Sequence, residues 1–329
     1  MAELVHPRDA DRIEGHAAAE RAFLDALERG RLHHAWLLVG PEGVGKATFA
    51  YRAARRLLGA RPEPGFGLLG ADPADPVFRQ VAGRAHPDLL VLERDDPDAK
   101  ARKSIPVEEA RALPEFFSKS PGRAAYRVAI IDAADDLGPN AANAVLKTLE
   151  EPPVRGVLLL VSHRPGSLLP TIRSRCRRLV FAAPPSEDAA RWVAAAADVS
   201  PEAAHALLRM ARGAPGRALR LASAGALEID QAARALVAQL PTIDPSAALH
   251  MADSFRGPEG AQRFALAMDR IAAALHDGAA AAALQGRGAL DREAEAWSLV
   301  SDAPGEAEAV NLDRADAFFT ALGRLAALG

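Results

Sequence analysis

The 329-residue sequence predicts a parallel α/β domain followed by helices alone. Three observations carry that reading. Short apolar runs alternate with amphipathic helical stretches between Ala35 and Phe181. The first run breaks into a glycine-rich turn that reopens as a helix, the layout of a phosphate cradle. After Pro184-Pro185 only helical periodicity is left.

In chain order, residues 13–29 have helical spacing (Ala17, Phe23, Leu24, Leu27) and stop at Gly30, a candidate C-cap. Residues 36–39 form a buried strand, and 48–58 a helix with Phe49, Ala53 and Leu57 on one stripe. Residues 60–83 turn to Pro, Gly and Asp with few periodic apolar positions, which predicts an irregular excursion. Residues 88–93 are a second strand and 94–103 a charged, solvated loop. A helix over 105–118 contains Pro114, expected to bend or stagger it. Residues 127–131 are a third strand that ends in Asp132. The helix over 140–149 is closed by Glu150-Glu151-Pro152-Pro153, because proline cannot continue it. Strands at 157–161 and 178–181 complete the set. Such strands read as continuous apolar runs because helices cover both faces of a parallel sheet, and ligands gather at the strands' carboxyl ends.

Beyond the two prolines, residues 186–197, 200–212 and 215–224 read as three helices, with Ser186 and Ser200 as N-caps and Gly213 as a stop. A break near Gly225 opens a last helical region, interrupted at 241–245, 257–258 and 286–288. There is no internal repeat and no heptad run. The expected division is 1–184, 185–226 and 227–329.

Bulk properties narrow the function. A hydrophobic fraction of 49% and a charged fraction of 25% are those of an ordinary soluble protein. A net charge of −3 excludes a surface that grips nucleic acid all round. Abundant alanine with only 5% aromatics favours helices with small side chains at their contacts. Cys176 is the sole cysteine, which rules out an internal disulfide and any multi-cysteine zinc site. No leader-like segment and no membrane-length apolar run is present, so the expected location is the cytoplasm.

The chemistry concentrates at residues 40–48, which follow G-x-x-x-x-G-K-[ST] with the last position missed. Gly40, Gly43 and Gly45 let the backbone N–H groups of the loop, with Pro41 and Val44 between them, converge on phosphate oxygens, and Lys46 adds a point charge. Ala47 stands where a magnesium-coordinating hydroxyl belongs. Thr48, one residue on, lies about 100° round the helix and is a poor substitute.

Asp132 at a strand end either holds magnesium beside the loop or caps a turn. Hydrolysis needs a further carboxylate to polarise water, and that neighbour is Ala133. Asp135 and Asp136 read as first-turn acids. Ser162 and His163 end the fourth strand, in reach of a terminal phosphate or facing solvent. Arg173, Arg175, Arg177 and Arg178 crowd six residues, a basic surface loop or a source of transition-state charge for a neighbouring subunit. Arg217, at the start of a helix, is a further phosphate candidate.

In this order the parts resemble the delta-prime family of clamp-loader subunits of bacterial DNA polymerase III, within the AAA+ proteins. The resemblance rests on residues 32–38, 40–48, 86–88, 126–132, 142–153 and 169–176, the last holding Ser174-Arg175-Cys176, and it covers the N-terminal domain to about Phe181. It implies an AAA+ α/β domain, a small helical lid and an all-helical collar through which subunits form an open ring. Motor subunits and a delta-type wrench subunit would be its partners, and the sliding clamp and primed DNA would be reached through the complex. Arg175 would be the finger entering the adjacent motor's ATP site. Arg217 would match a second sensor, and Ser162 or His163 a first. No cysteine falls in 60–83, where relatives carry a zinc module, so no zinc is expected. With Ala47 and Ala133 the chain is expected to bind ATP or ADP at best, with magnesium weak or absent and little turnover. The rival reading is an active ATPase motor subunit, which a hydroxyl at 47 and a carboxylate at 133 would have marked. A small-molecule kinase fits neither the helical C-terminal region nor the Ser-Arg-Cys loop. Lys147 and the arginines near Arg177 are either DNA contacts or solvated surface.

Overall fold

The computed structural model describes residues 5–94, 104–284 and 290–328. The charged loop expected at 94–103, apart from Arg94, and the break at 286–288 lie outside the described residues. The chain divides into two compact units, residues 1–220 and 221–329.

The first unit is built on five parallel strands: β1 (Ala35–Val39), β2 (Leu89–Glu93), β3 (Arg127–Asp132), β4 (Gly156–Ser162) and β5 (Arg177–Val180). Their spatial order is β2-β3-β4-β1-β5. Strand residues alternate between two cores, as the period of two requires. Trp36, Leu38, Ile130 and Leu159 face α1 (Ala17–Glu28) and α2 (Lys46–Leu57). Leu37, Ala129, Ile131 and Leu160 face α4 (Val107–Ser118), α5 (Pro139–Glu150) and α6 (Pro170–Ser174). Between α2 and α4 lies the short helix α3 (Pro76–Ala82). Helices on both faces explain why β1 and β4 are buried along their whole length. The register sets Val39 beside Ser162 and Val180, and Ile131 beside Leu160, so the carboxyl ends of β1, β3 and β4 line up along one edge.

The excursion at 60–83 is more ordered than its composition suggests. Asp75 accepts hydrogen bonds from the N–H groups of Val77 (2.7 Å) and Phe78 (3.4 Å), and Pro76 opens α3. Seven residues are too few to register as periodicity. Two arginines on the buried side of α2 tie the excursion down. Arg52 donates to Glu20 (2.9 Å) and to the Phe66 carbonyl (2.8 Å), and Arg55 lies 3.5 Å from the centre of the Phe78 ring. Helix α4 runs through Pro114, which sits on its exposed side.

Three helices complete this unit: α7 (Ser186–Ala197), α8 (Pro201–Met210) and α9 (Pro215–Ser223), the last running just past its edge. Ser200 caps α8 by accepting from the Ala203 N–H (3.2 Å). Ser186 does not cap α7: Pro185 holds the cap position, and Ser186 is already helical. The second unit holds α10 (Ala226–Ala238), α11 (Pro245–Asp253), α12 (Gly260–Leu284), α13 (Leu290–Ala309) and α14 (Arg314–Leu328). Helix α12 packs against α10 and α13, and α14 against α11 and α13. Phe255 meets Phe264 and Phe318 edge-on at 5.4 and 5.2 Å, in a core otherwise made largely of alanine and leucine. No helix among the described residues is long and apolar enough to cross a membrane.

Candidate functional site

The loop after β1 is shaped by close approaches that only glycine permits. A Cβ on Gly40 would sit 2.2 Å from the Phe181 carbonyl oxygen, and one on Gly43 (φ +75°) 2.4 Å from the Arg217 nitrogen. Gly216 N–H donates to the Gly43 carbonyl at 2.8 Å, so the start of α9 rests directly on the loop. Val44 is buried in the core, and its carbonyl accepts from the His16 ring at 2.7 Å. Burial lowers the His16 pKa, against the opposing pull of the Val44 carbonyl and Glu20. Gly45, at φ +109°, caps α2, and the first helical bond runs from Phe49 N–H to the Gly45 carbonyl (2.9 Å). The N–H groups of the first turn therefore have no partner within the helix, and the positive end of its dipole points at the loop. These donors fit an anion.

Lys46 is 2% exposed and donates to the Gly40 carbonyl (2.7 Å) and the Pro41 carbonyl (2.6 Å). Burial draws its pKa down to about 8, against the opposing pull of Asp132, Asp135 and Glu42. The ammonium thus leans on the loop's own backbone. Ala47 and Thr48 follow in α2, both half-buried. Among the described residues no three of His, Cys, Asp and Glu cluster so as to hold a metal ion. Asp132 ends β3 half-buried, and its neighbour Ala133 is 5% exposed, a methyl group where hydrolysis needs a carboxylate. The donors of the loop and the first turn of α2 suit a phosphate.

Asp135 does more than its reading as a first-turn acid allowed. No α-helix begins there, only a single 3-10 turn over Ala134–Asp136. Its carboxylate accepts from the Ser162 hydroxyl (2.9 Å), His163 N–H (2.5 Å) and Arg164 N–H (3.2 Å), pinning the end of β4. Ser162 is fully buried with its hydroxyl on that carboxylate. His163 is the side chain of the pair set among the charges of Lys46, Glu42, Asp135 and Arg220, and burial lowers its pKa. A carboxylate acting on a strand end 27 residues away leaves no local sequence signal.

Arg217 is half-buried, its backbone against Gly43, with no ion pair or hydrogen bond to its side chain among the described residues. Three residues on, Arg220 reaches Glu42 of the loop at 2.7 Å. That pair escaped the sequence reading because its members stand 178 residues apart.

The helix that carries Arg173 and Arg175 lies on the other face of the sheet from α2, whereas Arg177 turns to the face of α1 and α2. Ile172 of α6 is in the core with α4 and α5, whereas Phe49 and Ala53 of α2 are in the opposite one. Arg175 is 37% exposed, at the C-terminal end of α6. Arg177 stacks over Trp36 (4.8 Å), and Arg173 and Arg178 line a cleft of about 370 Å³ with Ser174, Pro165 and Pro170. Burial pushes the Cys176 thiol up to about 12, so it packs rather than reacts.

Residues 15–185 match the family described as DNA polymerase III, delta subunit. The DNA polymerase III subunit delta' of Pseudomonas aeruginosa is 38% identical over 201 residues, 61% of this chain and 59% of that one. The subunit delta' of Escherichia coli is 33% identical over 196 residues, 60% of this chain and 56% of that one. The chain thus spans less than two thirds of the length of these relatives. A crystal structure of a DNA polymerase III gamma subunit-related protein from Thermotoga maritima aligns with 93% of this chain and 99% of its own, at 17% identity and a TM-score of 0.47.

Proposed function

This chain belongs to the DNA polymerase III delta subunit family, and we propose that it serves as the stationary, delta-prime-type subunit of a clamp loader. It assembles with motor subunits and a wrench subunit, lends Arg175 to the nucleotide site of a neighbour, and takes part in placing a sliding clamp on primed DNA. The helices of residues 227–329 serve as its collar and those of 185–226 as a lid.

The observation that carries this reading is a pairing of opposites. The chain's own phosphate cradle has Ala47 and Ala133 where catalysis needs a hydroxyl and a carboxylate, while Arg175 stands partly exposed on the opposite side of the sheet. A guanidinium so placed suits the phosphates of another chain, where it would stabilise charge developing in phosphoryl transfer. ATP or ADP would be held at the loop by Lys46 and the N-terminal N–H groups of α2. Bound there it would serve assembly, without zinc and without a strong magnesium site.

Two measurements test the reading together. The isolated chain should hydrolyse ATP no faster than background. In the reconstituted complex, Arg175→Ala should preserve assembly and remove the contribution of one nucleotide site to turnover. Robust hydrolysis by the isolated chain would mark it as a motor subunit, and unchanged turnover in the complex would remove the trans role of Arg175.

A further inference from the structure

The four arginines of the run are held very differently, and one carboxylate makes the difference. Helix α5 ends at Glu150 because Pro152 and Pro153 forbid a further turn, so this acid is the last helical residue. Its Oε1 lies 3.1 Å from Nη2 of Arg175. The second arm of the guanidinium, Nη1, donates to the Thr171 carbonyl at 3.2 Å, an oxygen that also accepts the Ser174 hydroxyl at 3.1 Å. Ile172, fully buried, and Cys176, packed on the same core, fix the backbone on either side. Arg175 is therefore gripped at both ends of its fork. Arg173 and Arg178 have no carboxylate partner among the described residues.

We propose that Glu150 is the positioning residue for Arg175, holding its guanidinium in the orientation in which it meets a neighbouring subunit's phosphate. The inference rests on the trans role of Arg175 and adds the group that aims it. A guanidinium has five N–H bonds. One donates to the Thr171 carbonyl and the Nη2 end is paired with the Glu150 carboxylate, which leaves N–H groups of the guanidinium for a phosphate. Both partners stay accessible, Arg175 at 37% and Glu150 at 51%, so the pair does not seal the arginine away. An ion pair this exposed adds little to folding stability. What it removes is rotamer freedom that a long side chain must otherwise lose on reaching its target.

The test uses the assembled complex and the part of its ATP turnover that depends on Arg175. Glu150→Ala should lower that part about two- to fivefold, the effect of freeing an exposed pair, with KM for ATP and assembly unchanged. Glu150→Gln, which keeps an oxygen acceptor, should recover most of the loss. In an Arg175→Ala background Glu150→Ala should change nothing further. If Arg175→Ala slows turnover and Glu150→Ala does not, or speeds it, positioning by Glu150 is wrong while the trans role stands. If Arg175→Ala has no effect, both fall.

Discussion

The Asp135 carboxylate accepts the Ser162 hydroxyl at 2.9 Å, joining the turn after β3 to the end of β4. Because the same carboxylate also receives two backbone N–H groups, it fixes where His163 sits relative to Lys46 and Glu42. Asp135→Ala leaves the buried Ser162 hydroxyl without its acceptor, and should cost about 1–3 kcal/mol. Urea unfolding checks this, and a loss below about 0.5 kcal/mol, the range of ordinary surface changes, would show that Asp135 is not the organiser of this edge.

The Arg52–Glu20 pair is closed from solvent, at 1% and 4% side-chain exposure, and Arg52 also binds backbone carbonyls of the N-terminal segment and the excursion. Arg52→Ala should destabilise the first unit by about 3–5 kcal/mol, since it strands a buried carboxylate. The double variant Arg52→Met with Glu20→Leu should be markedly less damaging. Equal losses in the single and double variants would mean that packing, not charge, sets the cost.

Lys46 yields two pH effects of opposite sign. Its folded-state pKa of about 8 lies below the ordinary 10.5, so between these values the unfolded chain binds the extra proton and stability should rise with pH. Nucleotide affinity should fall as pH climbs through about 8, because the neutral amine no longer attracts phosphate. Titration calorimetry with ATP from pH 7 to 9, beside Lys46→Met, separates the two. Affinity that is flat in pH and equal in the variant would exclude Lys46 from phosphate binding.

Ala47→Thr restores a hydroxyl at the first turn of α2, at a half-buried position with Asp132 held near Lys46. ATP affinity in this variant should become dependent on magnesium while turnover stays at background, because residue 133 is still a buried methyl group. The comparison is ATP binding with magnesium and with a chelator. No gain from magnesium would mean that Asp132 and the new hydroxyl do not share a cation site.

Much of this was legible along the chain. Strands β1, β3 and β4 announce themselves as apolar runs because both faces of a parallel sheet are buried there, whereas edge strand β5 is largely exposed, and the glycine spacing of 40–45 fits the close approaches of the loop. Helix α3 was missed, although Asp75-Pro76 is a legible cap signal, since seven residues carry little periodicity. The roles of Asp135, Arg220 and Glu150 were not legible at all. Each acts on a group 25 to 178 residues away or beyond one turn of its own helix, and a carboxylate or guanidinium looks the same in sequence whether it pins a strand end or faces water.

The sequence by itself determined the alternation of strands and helices, the glycines of the loop and the alanines at 47 and 133, since each depends on local backbone geometry or on the identity of one side chain. Only the tertiary structure decided that Lys46 leans on its own loop, that Ser162 is tied to Asp135, and that Arg175 is held by Glu150. Those outcomes depend on which polar groups close packing brings within about 3 Å of one another, a distance that no spacing along the chain encodes.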